Sequence, residues 1–177
     1  YFLYWKHILR GDFGLGEQMY VGQEVRDVLL QKIPYTVTVN LYAILLSVPL
    51  GLALGIYAAL RKNRWQDHTI STGVMVFISV PSYVYAFLVQ FFLCYVTGWF
   101  PLTAASGSQS RLLSWGMFYS MLPAVLSLSF GTIAGLTRFT RAELTEVLTG
   151  EYLLLAKAKG LTRRQSLVRH GLRNAMV

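Results

Sequence analysis

Three long runs without a formal charge organise the chain: residues 36–60, 69–97 and 112–137, of 25, 29 and 26 residues. A 25-residue helix rises about 37 Å, more than the roughly 30 Å hydrocarbon core of a bilayer. Lipid offers backbone polar groups no partner, and a helix satisfies them within one segment. The pattern therefore predicts an all-α polytopic membrane protein: a segment 1–35, three transmembrane helices over about 36–60, 69–97 and 112–137, and a polar region 138–177. Pro49, Pro81 and Pro123 interrupt the three runs. Each removes a backbone donor, so hydroxyls, neighbouring helices or water must satisfy the freed carbonyls. Kinked helices around a pathway are one reading, and the ordinary tolerance of membrane helices for proline is the other.

Composition agrees with the pattern, with 54% hydrophobic and 14% charged residues. The eight Lys and Arg of region 138–177 are half of the chain's 16, in under a quarter of its length. The 61–67 loop adds Arg61, Lys62 and Arg64 against Asp67, whereas the 98–111 loop carries only Arg111. Positive residues mark cytoplasmic loops, so the 61–67 loop and the tail are expected inside, with 98–111 and the charge-balanced segment 1–35 outside. Residues 1–35 lack a signal-peptide pattern, and the chain opens on Tyr1-Phe2-Leu3 without methionine. We expect a piece of a longer protein. Cys94, the single cysteine, permits no internal disulfide and reads as a small core residue.

The tail resolves into two short helices. Thr149 can cap a start, Glu151 falls in a first turn, Lys157 and Lys159 in a last turn, and Gly160 can take the left-handed position beyond it. Tyr152 lies on the apolar side of this helix. Thr162, with Gln165 three residues on, makes a capping-box pattern that opens a second helix. Three uses compete for such a unit. Basic residues beside a span bind anionic lipid at about 1 kcal/mol each. A basic helix-turn-helix imitates a nucleic-acid reader, an unusual role for a segment fixed beneath a membrane. A short helix ended by glycine also suits docking into a partner's groove. Within the spans the polar candidates for a substrate route are Asn40, Ser79, Ser82 and Gln90, with Pro81 beside them, and Tyr83 and Tyr85 on the same stretch. Helix-to-helix hydrogen bonding is the competing role for each. No phosphate-cradling glycine loop, paired catalytic carboxylates or Cys/His cluster occurs, and His7, His68 and His170 are isolated. We expect no catalytic residue, metal site or cofactor in this chain.

Ala156-Lys157-Ala158-Lys159-Gly160-Leu161, followed by Arg169-His170 and Leu172-Arg173-Asn174-Ala175, resembles the coupling segment of ABC importer permeases of the dipeptide, oligopeptide and nickel class. The likeness extends through Arg138-x-x-Arg141-x-x-Leu144-x-Glu146-x-Leu148, Leu122-Pro123-Ala124, Ser79-Val80-Pro81-Ser82, Arg10-Gly11-Asp12-Phe13-Gly14 and Pro34-x-Thr36, covering nearly the whole chain in order. The broader importer pattern places a glutamate before its alanine pair; here Leu154-Leu155-Ala156 stands instead, as is typical of the peptide branch. The resemblance implies a permease with six membrane helices, this chain holding the second to fourth, in a prokaryotic plasma membrane. It implies a second permease subunit, two cytoplasmic ATPase subunits that hydrolyse the ATP, and an external substrate-binding protein that delivers peptides. Tyr152, Ala156, Lys157, Ala158, Lys159, Gly160 and Leu161 would then form the ATPase-coupling element. Nickel import by the same family, and a membrane-anchored scaffold with a lipid-binding basic tail, are the alternatives.

Overall fold

The computed structural model describes residues 1–104 and 113–149. Among them, α1 is Phe2–Leu9, α2 Val25–Leu60, α3 Trp65–Ser79 and α4 Ser82–Val89, which continues into a π-helical segment, Gln90–Val96. α5 is Trp115–Thr149. The 36 residues of α2 and the 35 of α5 give lengths of about 54 and 52 Å, so each extends beyond a bilayer core. Both are apolar enough to cross a membrane, and α3 with Ser82–Val96 forms a third candidate, bent by 98°.

α2 presents its small buried residues every fourth position: Ala43, Ser47, Gly51, Gly55 and Ala59. This spacing lays a single ridge along one face, and the small side chains let α5 approach closely. A Cβ on Gly51 would stand 2.7 Å from the Leu136 Cβ, and one on Gly55 2.6 Å from that of Thr140. At one end Ala43 packs with Met117, Met121 and Val125; at the other Ala59 packs with Leu144 and Val147. Residue numbers on the two helices climb together, so α2 and α5 run parallel.

Parallel helices require the chain to return across the bundle between them, and the intervening contacts trace that return. Asp67 meets Arg141. Phe77 then meets Phe130 at 5.4 Å between ring centroids, and Phe100 meets Tyr119 at 4.7 Å. As numbers rise on one side they fall on the other, so α3, α4 and the π segment together make one broken crossing rather than a re-entrant loop.

The break follows from Pro81. Its ring disfavours helical geometry in the residue before it, and Val80 is extended at φ −91°, ψ 128°. Tyr85 closes the bend by donating its hydroxyl to the Phe77 carbonyl, and its ring joins Phe77 and Phe130. Hydroxyls in the apolar helices turn back on their own backbone: Thr38 donates to the Pro34 carbonyl at 2.7 Å, and Ser127 to that of Pro123 at 2.7 Å. Thr137 instead crosses to the Gly51 carbonyl at 3.2 Å, joining α5 to α2.

Candidate functional site

The bend at Val80–Pro81 stands between two cavities. The first, of about 430 Å³, lies among α2, α4, the π segment and α5, with Ser82, Tyr83, Gln90, Cys94 and Ser127 among its lining residues. The second, of about 520 Å³, lies between α3 and the later part of α5 and is lined in part by His68, Ser71, Ser79, Arg138 and Arg141. Ser79 and Ser82, three residues apart, thus face different spaces because the helix axis turns between them.

The expected pathway residues separate accordingly. Ser82 and Gln90 come together in the first cavity. Gln90 donates through Nε2 to the Leu102 carbonyl at 3.1 Å, tying the π segment to the loop that follows it. Ser79 belongs to the second cavity, and its hydroxyl donates to Met75 at 2.7 Å. Asn40 lines neither; its amide donates to the Thr36 carbonyl at 2.8 Å on an exposed face of α2. Pro81 acts through the bend. Tyr85 is buried, with its hydroxyl engaged at the bend. Tyr152, Ala156, Lys157, Ala158, Lys159, Gly160 and Leu161 lie outside the described residues, as does the expected second tail helix.

In the sequence Asp67 and Arg141 stand only as charges and motif letters; the structure makes them partners. Asp67 is in the first turn of α3, with its side chain 1% exposed. One carboxylate oxygen accepts from Arg141 Nε and the other from Nη2 at 2.8 Å. It also accepts the Asn63 N–H at 3.0 Å, holding a turn in which Asn63 has φ +63°, and lies 3.4 Å from the Ser71 hydroxyl. The available signal was placement: each residue stands just outside an uncharged run, where a polar group can reach the end of a neighbouring helix.

At the opposite end, Arg10-Gly11-Asp12-Phe13-Gly14 forms a compact turn. Asp12 accepts the Gly14 N–H at 3.1 Å and faces His7 Nδ1 at 3.0 Å. Gly11 and Gly14 take φ +80° and +75°, which only glycine adopts without cost. The Gly14 N–H, and then His7, hold the Asp12 carboxyl below its usual range.

Residues 51–177 match the model of the binding-protein-dependent transport system inner membrane component family. The chain belongs to this family. It is 33% identical over its full length to a dipeptide transport system permease protein of Lactococcus lactis subsp. cremoris, and 33% identical to an oligopeptide transport system permease protein of Haemophilus influenzae. A glutathione transport system permease protein of Salmonella choleraesuis is 32% identical over 98% of the chain. The chain spans 55% of the length of the first two relatives and 53% of the third. As an inner membrane component of this family, it fits the all-α architecture that its charge-free runs predict. The family match takes in the second cavity, all of the first but Val39, and the basic tail, and the relatives' likeness also takes in the Asp12 turn.

Proposed function

We propose that this chain is part of a permease subunit of an ATP-driven importer, lining the membrane route for peptides and coupling to cytoplasmic ATPase subunits. The full-length likeness to permeases named for dipeptides and oligopeptides carries this reading. On it, an external binding protein supplies the peptide, a second permease subunit completes the route, and hydrolysis takes place on two ATPase partners. The contribution of this chain is mechanical. Tyr152, Ala156, Lys157, Ala158, Lys159, Gly160 and Leu161 form the element gripped by the ATPase. The route passes the first cavity, where Ser82, Tyr83 and Gln90 offer hydroxyl and amide groups to a peptide backbone. Ser79, Pro81 and Asn40 then have supporting parts, Pro81 through the bend.

The complete protein, co-expressed with its neighbouring ATPase and permease genes and reconstituted in vesicles, is expected to accumulate labelled di- or oligopeptide only with ATP and a binding protein. Nickel uptake in place of peptide would transfer the reading to the metal branch. Phospholipid binding without co-purifying ATPases would favour a scaffold and end the importer reading.

A second test addresses the route. In a background in which Cys94 and any other cysteine of the complete transporter are replaced by alanine, a Ser82→Cys side chain is expected to react with a small water-soluble thiol reagent several-fold more slowly when peptide is bound, while Asn40→Cys reacts at an unchanged rate. Equal protection at both positions, or at neither, would remove Ser82 from the route.

A further inference from the structure

We infer that Asp67 and Arg141 are a positioning pair that makes α3 move with the C-terminal end of α5, so that displacement of the chain beyond Thr149 reaches the Val80–Pro81 bend. The inference rests on the importer reading. α5 runs without a break to Thr149, eight residues past Arg141, and the proposed coupling residues follow directly. Any push on those residues therefore enters the bundle through this end of α5.

From there, two of the contacts between α5 and α3 stand near the ends of α3. One is the Asp67–Arg141 pair, bridging residues 74 apart in sequence. The other is the aromatic contact of Phe77 with Phe130, adjoining the bend. Between them lie the cavity of about 520 Å³ and a smaller one of about 180 Å³, lined by Ile70, Gly73, Phe130 and Ile133 among others. α3 is thus tied to α5 near both of its ends and borders cavities between them. A body held at two points follows rotation as well as translation; released at one, it can pivot about the other.

The chemistry suits a joint. The fork geometry of a guanidinium on a carboxylate fixes orientation as well as distance. Asp67 has little access to water, so separating the pair would strand a buried charge. Its hydrogen bond from Asn63 extends the joint to the turn linking α2 and α3, while Ala59, Leu144 and Val147 pack the ends of α2 and α5 together. The ends of three helices form one block.

The test uses the complete transporter reconstituted with its ATPase partners, reading peptide moved per ATP hydrolysed. Asp67→Asn is expected to lower that ratio about 2- to 30-fold, the range of coupling changes produced by residues remote from both ligands. ATP hydrolysis should continue. An unchanged ratio in Asp67→Asn overturns the joint. If Asp67→Asn does not assemble, Arg141→Lys, which keeps the charge but loses the fork, should still show a lowered ratio, and an unchanged one overturns the proposal. Absence of ATP-driven uptake by the unaltered transporter would instead defeat the importer reading itself.

Discussion

Placing tryptophan at Gly160 is expected to abolish tight coupling: the complete transporter hydrolyses ATP but moves little peptide, and it still inserts and assembles. Residue order predicts a short helix over residues 150–159, and Gly160 is expected at the position beyond it, where a left-handed residue ends a helix and glycine enters freely. If residues 150–160 dock on an ATPase as proposed, a large side chain there would meet two penalties, backbone strain and overpacking against the groove. Overpacking alone costs about 1–3 kcal/mol, which weakens docking about 5- to 150-fold. Uptake and ATP hydrolysis measured on the same vesicles check this, and uptake at the unaltered level would refute the docking role of residues 150–160.

The second large effect is on assembly. Adding one methyl group at Gly55 drives its Cβ to 2.6 Å from that of Thr140 and 2.9 Å from the Thr137 carbonyl oxygen. Neither obstacle is the far end of a flexible side chain, so α2 and α5 must separate. Separation also stretches the nearby bond from Thr137 to the Gly51 carbonyl. Gly55→Ala is therefore expected to destabilise the protein by about 1–3 kcal/mol, even though alanine favours helix over glycine by about 1 kcal/mol. Gly135→Ala supplies the comparison, since its added Cβ meets no atom of another described element within 4 Å. Thermal unfolding in detergent should show a clear fall in midpoint for Gly55→Ala and a much smaller change for Gly135→Ala. Equal midpoints would show that the close approach at Gly55 contributes nothing.

These predictions draw on different levels of information. The Gly160 variant follows from residue order: a basic helix, a glycine stop and a second basic helix behind an apolar run. The Gly55 variant needs the partner helix. The four-residue spacing of Ala43, Ser47, Gly51, Gly55 and Ala59 is visible in the sequence, yet membrane helices carry such small residues on many faces, and only packing identifies the one that meets α5.

Residue order also determined that the chain crosses a bilayer, since charge-free runs of 25 to 29 residues have no other low-energy location, and it marked the basic ends of the spans. It pointed to the family through letters spread along the chain. Tertiary structure decided what distance along the chain conceals. Ser79 and Ser82 look adjacent but face different cavities because Pro81 turns the axis by 98° between them. Asp67 and Arg141, 74 residues apart, form one ion pair because α3 runs back along α5. Hydrophobicity is a property of each residue and survives in the sequence; direction and proximity belong to pairs, and they exist only once the helices have packed.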